Sequence, residues 1–343
     1  MTEEKMPVKV EISYKTVLFT IFFLIGLWLI IQIRDIIILL FLSAILLSGL
    51  LRPVEWLNSK KIPRALSVLI VYIFIIAFIA FTIGIIVPPL VSQSSDFISK
   101  LPQILGTIND FLVFNKIPVN NLSDIIGRQL QSVAGNFISV TSAIFSSIFL
   151  VITLLVLTFY LLLEWNKFLR LLTSPFSGKQ EKKVANLITK IESGLGGWLR
   201  GQLALSLIIG VLTYIGLKIL GIEYALPLAL VAGILEIIPI IGPIISAIPA
   251  VLVGLTVAPI MGVAVAALFF VIQQLENHLI VPMVMKRVAG LQPPVVIIAL
   301  LIGAKLGGIG GAFLAIPIIV VGKAVFTEFL REDQKMSDDL EET

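Results

Sequence analysis

The chain has 343 residues, of which 58% are hydrophobic and only 13% are charged, whereas soluble domains carry about 25% charged residues. This composition excludes a soluble fold and predicts an all-α, polytopic integral membrane protein with the lipid bilayer as its main surroundings. The net charge of +4 is too small to predict nucleic-acid binding. The absence of cysteine excludes disulfides and thiolate metal sites.

Eight hydrophobic segments are predicted, and the first three form one unit with the N-terminal tail (residues 1–91). The first apolar run, residues 16–33, is just long enough to span a bilayer. The chain returns in a second span over 36–51 and crosses again in a long third span over 65–91. Because no small-residue cleavage site follows the first run, we interpret it as a retained span. We expect Pro53 and Pro63, in the basic loop after the second run, to end one helix and restart the next.

The middle of the chain alternates between amphipathic and spanning segments. Residues 92–135 have apolar positions at helical spacing with charges between them, which predicts an amphipathic extracytoplasmic region. The next unit (136–220) contains a fourth span, a basic cytoplasmic amphipathic helix over 164–200, and a fifth span over 203–220.

Residues 221–331 do not divide into ordinary spans, and we predict that they form the transport core. Runs 225–238 and 244–257 are each shorter than the roughly 20 residues that cross a bilayer. A turn of Pro239, Gly242 and Pro243 separates them, where two prolines lack amide donors. This pattern predicts a re-entrant helical hairpin, since non-helical backbone at that depth needs protein or water around it.

The pattern repeats after an ordinary span over 259–281. Two short apolar runs, 292–304 and 312–326, flank a second glycine-rich turn formed by Gly307, Gly308, Gly310 and Gly311. Paired, interrupted segments of this kind indicate a transport site. A polar C-terminal tail follows (332–343), and the distribution of Lys and Arg predicts a multi-pass protein of the cytoplasmic membrane with both termini cytoplasmic.

Polar side chains at membrane depth are costly and indicate function. Glu236, before the first turn, is a candidate ion or proton site; the alternative is a carboxylate capped by amides or paired with lysine. Near the end of the 259–281 span, Gln273, Glu276 and Asn277 share one helical face by their spacing. Gln274 and His278 share the next face. We predict that both faces line the substrate or ion path, against the alternative of a hydrated helix end.

Three further residues complete the predicted site. Lys305 is either a counter-charge for Glu236 or Glu276 or a side chain that reaches the membrane surface. Arg200 and Gln202 are placed at an inner vestibule. A single histidine makes a poor metal site, so no metal or other cofactor is predicted. The sequence contains no HExxH, Walker A or G-x-S-x-G motif, which predicts gradient-driven or passive transport rather than an enzyme.

The runs GILEIIPIIGPIISAIPA and QQLENHLIVPMVMKRVAGLQPPVVIIALLIGAKLGGIGGAFLAIPI resemble the autoinducer-2 exporter family of membrane transporters. GGWLRGQ before the fifth span adds to the resemblance, which covers essentially the whole chain. The resemblance implies a permease with eight membrane segments, assembled as a homo-oligomer; pentamers are associated with this family. It also implies one of two activities, export of autoinducer-2, a quorum-sensing signal, or exchange of Na⁺ or Li⁺ for H⁺.

Three functions therefore stay open at the level of sequence. The first is a secondary transporter that exports a small polar solute such as autoinducer-2, for which the side-chain amides supply hydrogen bonds. The second is a Na⁺(Li⁺)/H⁺ antiporter, for which Glu236 is the alternately loaded carboxylate. The third is a membrane scaffold that transports nothing and recruits partners through its basic 164–200 stretch.

Overall fold

The computed structural model describes residues 14–85, 88, 149–285 and 293–341. In the first part of the chain it contains α1 (Tyr14–Gln32), α2 (Arg34–Ser59), α3 (Arg64–Ile85) and α4 (Phe149–Thr173). The predicted amphipathic region 92–135 and the start of the predicted fourth span, 136–148, lie outside the described residues.

The second part of the chain contains α5 (Lys179–Ile219), α6 (Ala225–Leu235), α7 (Ile241–Val257), α8 (Pro259–Leu275), α9 (Val281–Met285) and α10 (Pro293–Glu341). A π-helical turn, Glu276–Ile280, joins α8 to α9. Within the described ranges, seven helical stretches are long and apolar enough to cross a bilayer. The predicted all-α polytopic membrane fold is therefore confirmed.

Two predicted helix boundaries are wrong. Pro53 does not end a helix, because α2 continues through it to Ser59. The predicted basic helix 164–200 is divided, because residues 164–173 belong to α4, whereas residues 179–200 and the fifth span form one continuous helix, α5, of 41 residues. The N-terminal half of α5 is polar and its C-terminal half is apolar. The change in hydropathy near residue 200 therefore marks the point where the environment of one helix changes, and not a turn between two helices.

Helix α5 lies at the centre of the packing. Its middle packs against α2 and α10 in one apolar cluster that includes Trp198. Its C-terminal end packs against α6, α7 and α8 in a second cluster that includes Leu217. By contrast, α1 buries none of its residues within the chain. Exposed apolar side chains are expected of helices that face lipid, because lipid tails are as apolar as leucine.

The first helix break separates α6 from α7. At 11 and 17 residues, these helices are about 16 Å and 26 Å long. Ile240 is the central residue of a γ-turn, with φ 69° and ψ −49°, and the Ile241 N–H donates to the Pro239 carbonyl oxygen at 2.8 Å. This type of γ-turn is rare and strained. A Cβ at Gly242 would lie 2.0 Å from the Leu235 carbonyl oxygen, so only glycine lets α7 start this close to the end of α6.

The second break lies inside α10, where Gly307 and Gly308 have non-helical dihedral angles. The chain folds back on itself there, since a Cβ at Gly303 would lie 2.3 Å from the Gly311 carbonyl oxygen. The two breaks belong to neighbouring parts of the structure: Ile238 packs against Leu300 and Ala312 of α10. The re-entrant path of both segments remains a prediction, since it depends on the position of the bilayer.

Candidate carboxyl-pair site

Glu236 lies in the first helix break and is fully buried. Its backbone N–H donates to the Ala232 carbonyl oxygen at 3.0 Å, which completes the last turn of α6. Pro239 supplies no N–H, so the helix cannot continue regularly, and the chain turns into α7 at Ile240. This turn leaves the Glu236 side chain inside the bundle with 0% exposure.

Glu276 approaches from the other side, at the end of α8, and is 3% exposed. It begins the π-helical turn, in which the Val281 N–H donates to the Glu276 carbonyl oxygen. Pro282 accounts for the turn: it has no N–H for the carbonyl of His278, four residues earlier, and its ring would clash with that carbonyl in a regular helix. A π-turn absorbs the mismatch, and such turns are frequent at functional sites.

The two carboxyl groups meet in the interior, close enough to share a hydrogen bond. Neither oxygen of Glu236 accepts a hydrogen bond from a donor group of the described residues. The polar group beside the Glu236 side chain is instead the carboxyl group of Glu276, which donates a hydrogen bond only when it carries a proton. Two negative charges this close in an apolar interior repel each other, so the geometry favours one shared proton or one bound cation.

Two glutamines complete the surroundings of the pair. The Gln273 side chain donates from Nε2 to Oε2 of Glu276 at 3.1 Å. Gln202, on α5, donates from Nε2 to the backbone carbonyl oxygen of Glu236 at 2.5 Å and is 1% exposed. Its own Oε1 has no hydrogen-bond partner among the described groups. The centre is thus rich in unsatisfied oxygen acceptors, the ligand type that protons and hard cations require.

Three other polar residues of the predicted site lie away from the carboxyl pair. Gln274, Asn277 and His278 are exposed on the outer side of the α8 end. Asn277 thus does not share the burial of Glu276, and its predicted place along the path stays a prediction. The Nδ1 atom of His278 lies 3.0 Å from the Gln274 carbonyl oxygen, one helical turn back.

Lys305 is exposed, and within the described part of the chain it forms no ion pair with Glu236 or Glu276. Arg200 is directed towards α2, where its Nη1 donates to the carbonyl oxygens of Ser48 and Gly49, each at 3.2 Å. Of the two residues predicted at a vestibule, only Gln202 contacts the carboxyl site.

The predicted turn residues also differ in their surroundings. Gly242 and Pro243 lie beside the carboxyl pair together with Pro239, where the closest backbone contact is that of Gly242 with the end of α6. Gly307, Gly308 and Gly310 are exposed, and a Cβ at any of them would meet nothing within 4 Å. Gly311 instead forms the close contact between the two arms of α10.

An apolar groove of about 400 Å³ runs between α3, α5 and α6. Its wall includes Gly233 and Ile237, which flank Glu236 along the chain, and it also includes Phe81 of α3. The lining is almost wholly apolar, so the groove matches hydrocarbon rather than a polar cargo. The carboxyl pair is the better candidate for chemistry, because it combines burial, charge and unsatisfied acceptors.

Sequence reasoning found both carboxyl groups but not the way they are brought together. The signal that it missed is the spacing of His278 and Pro282, four residues apart, which predicts a disturbed helix at Glu276. The contact between Gln202 and Glu236 joins positions 34 residues apart. No helical periodicity connects such positions, so that contact needs the tertiary structure.

Comparison with known proteins agrees with this architecture. Residues 17–331 match the family described as AI-2E family transporter. A candidate transport protein of Bacillus subtilis (strain 168), YrrI, is 31% identical over 320 residues, covering 89% of each chain. A second one from that strain, YueF, is 28% identical and covers 83% of each chain. The Escherichia coli K12 candidate transport protein YhhT is 27% identical over 304 residues, covering 84% of this chain and 83% of its own.

The family match includes the helix break of Glu236, the π-turn of Glu276 and the glycine break of α10. Helices α1 to α9 and the apolar part of α10 fall almost entirely within it. This chain is a multi-pass membrane protein that belongs to the AI-2E transporter family.

Proposed function

We propose that the chain is a secondary transporter in which Glu236 and Glu276 together bind and release one proton or one monovalent cation. The observation that carries this proposal is the contact of two buried carboxyl groups at a helix break. Charged groups at membrane depth mark substrate and ion pathways. Broken helices in transporters place their backbone and side chains at the transport site.

The proposed cargo is a small polar solute that moves out of the cell, with autoinducer-2 as the first candidate. The family description supports this choice, and the amide groups of buried Gln202 and half-buried Gln273 could bind hydroxyl groups of such a solute. In this scheme, loading the carboxyl pair with a proton removes its net repulsion and favours one conformation of the break. A ligand shifts such an equilibrium only by its differential affinity for the two states.

Exchange of Na⁺ or Li⁺ for H⁺ is the second candidate, favoured by the same carboxyl pair. Among the described residues the pair has oxygen acceptors and no ion-pair partner, which suits a bare cation. One cation would replace one proton without a change in net charge. Export of the solute and cation exchange differ in what crosses the membrane, although both use Glu236.

Proteoliposomes containing the purified chain distinguish these possibilities. One arm measures efflux of labelled autoinducer-2 under an imposed pH gradient, and the other measures proton movement after addition of Na⁺ or Li⁺. We expect Glu236→Gln and Glu276→Gln each to reduce the active flux to that of empty liposomes. Glu181→Gln is the matched control, because Glu181 is exposed at the start of α5.

The outcomes separate clearly. Solute efflux that requires both glutamates supports export, and Na⁺-dependent proton movement that requires them supports antiport. Wild-type protein that moves neither species would favour the scaffold hypothesis for these substrates. Full flux in the double variant Glu236→Gln/Glu276→Gln would refute the role of the carboxyl pair.

A further inference from the structure

Helix α2 contains a proline where a hydrogen bond is expected. In a regular helix the N–H of residue 53 would donate to the carbonyl of Gly49, four residues earlier. Pro53 has no N–H, so this carbonyl loses its helical partner. The helix nevertheless continues through Pro53 to Ser59, so another donor is needed for the freed carbonyl.

Arg200 of α5 provides that donor. Its Nη1 donates to the carbonyl oxygens of both Ser48 and Gly49, each at 3.2 Å. Glycines allow the approach: a Cβ at Gly196 would lie 2.1 Å from the Ser48 carbonyl oxygen, and one at Gly49 would lie 2.5 Å from Cδ2 of Leu199. The position of α5 along α2 is thus defined by backbone contact and by one guanidinium group.

The same short segment of α5 reaches the carboxyl pair. Two residues after Arg200, the Gln202 side chain donates to the backbone carbonyl of Glu236. Two residues before it, the Trp198 ring packs on Phe313 of α10, with ring centroids 5.7 Å apart. Residues 198–202 are all helical, so a shift of α5 at Arg200 would be transmitted to Gln202 and to the break that holds Glu236.

We propose that Arg200 is a positioning residue that replaces the helical hydrogen bond removed by Pro53 and so holds Gln202 in reach of Glu236. This inference rests on the proposed function only where transport flux is measured. It makes α2 part of the machinery that shapes the site, although α2 itself does not contribute a side chain to the carboxyl pair.

A simpler role for Arg200 is to balance a neighbouring charge. Glu192, two turns earlier on α5, interacts electrostatically with Arg200, and Arg52 and Glu55 of α2 lie in the same group of charges. If that charge balance were the whole role, then Glu192→Gln would produce the same defect as Arg200→Gln. If the freed carbonyl is what matters, the two variants differ.

The test is a second-site rescue in the full-length protein. Arg200→Gln is made alone and with Pro53→Ala, since an alanine at that position can donate its own N–H to the Gly49 carbonyl. Pro249→Ala, which restores an N–H within α7, is the matched control for rescue. Arg170→Gln, at an exposed position of α4, controls for loss of one positive charge. Thermal unfolding in detergent and proteoliposome flux are measured for every variant.

We expect Arg200→Gln to lower flux about tenfold or more, by analogy with the loss of partners that orient metal ligands, and to lower the unfolding temperature. In the double variant, Pro53→Ala should restore the unfolding temperature to that of Pro53→Ala alone, because it supplies the missing N–H. Flux should stay low, since the contact that holds α5 against α2 is not restored. If Arg200→Gln does not fold, recovery of folded protein in the double variant is the equivalent expected result. Pro249→Ala should restore nothing, and Glu192→Gln should retain most of the flux.

Four results would overturn the inference: a double variant whose unfolding temperature is no higher than that of Arg200→Gln, full flux in that double variant, equal rescue by Pro249→Ala, or a defect of Glu192→Gln that matches that of Arg200→Gln. The unfolding measurements keep this test separate from the proposed function. If wild-type protein shows no flux, the rescue of unfolding temperature by Pro53→Ala still decides whether Arg200 replaces the missing hydrogen bond.

Discussion

The two helix breaks of this protein look alike in sequence and differ in the structure. The break between α6 and α7 is closely packed, carries Glu236 at 0% exposure and has glycine where a Cβ would collide with backbone. The break at Gly307 and Gly308 in α10 is exposed and has open space around its glycines. An interrupted apolar segment in the sequence therefore indicates that a helix breaks. Burial and unsatisfied polar groups in the structure indicate which of the two breaks is the candidate site.

Substituting one glycine of each break tests this difference with the largest expected effect. Gly242→Ala would place a Cβ against the Leu235 carbonyl oxygen, and backbone cannot move aside as a side chain can. We expect a loss of about 3 kcal/mol or more in the free energy of unfolding. In the control Gly310→Ala, the added Cβ would have no atom within 4 Å, so the free energy of unfolding should change by less than about 0.5 kcal/mol. Unfolding in detergent measures both; equal losses would contradict the comparison.

Removing the glutamine that holds the first break should have an intermediate effect. Gln202→Ala leaves the Glu236 carbonyl oxygen buried without its donor, at a cost of about 1–3 kcal/mol. The control is Gln274→Ala, because Gln274 is exposed near the end of α8. Denaturant titration of both variants measures the difference. Similar stabilities for the two variants would mean that the Gln202 contact does not stabilise the break.

Replacing the strained residue of the first break should increase stability. Ile240 occupies the centre of a γ-turn at φ 69° and ψ −49°, a sparsely populated conformation that costs about 1–3 kcal/mol. Ile240→Gly should recover part of this cost, less the apolar contact of the side chain, which is 39% exposed. The opposite change, Gly308→Ala, places a side chain at φ 59° and ψ −140°, a region that is close to glycine-only, and should lower stability by about 1 kcal/mol or more. A stability loss in Ile240→Gly would contradict the assigned strain.

The charged residue beside the second break should have the smallest effect. Lys305 is exposed, so Lys305→Gln should alter the free energy of unfolding by less than about 0.5 kcal/mol and leave flux unchanged. Flux lost in Lys305→Gln but retained in Glu236→Gln would reverse the roles assigned to the two breaks.

Much of this organisation could be predicted from residue types. Glu236 is conspicuous because a carboxylate in an apolar run is costly, and Pro239, Gly242 and Pro243 mark the turn beside it. The helical class follows from the lengths of the apolar runs. These predictions succeed because each depends on neighbours in the sequence.

The errors arise where a distant residue satisfies a local defect. Pro53 is predicted to end α2, but Arg200, 151 positions beyond Gly49, donates to the freed carbonyl. Asn277 is predicted on the face of Glu276, but at the π-turn Glu276 is buried and Asn277 is exposed. Helical periodicity describes neither case, because both depend on how a missing N–H is compensated in three dimensions.

Chemical labelling tests most directly whether Glu236 and Glu276 act as one site for a proton or a cation. A hydrophobic carbodiimide reacts with protonated carboxyl groups in apolar surroundings, and mass spectrometry locates the adduct. We expect an adduct on Glu236 or Glu276 but not on both in one chain, with flux lost in proportion to labelling. Adducts confined to exposed carboxyl groups such as Glu181, or two independent adducts at the pair, would contradict it.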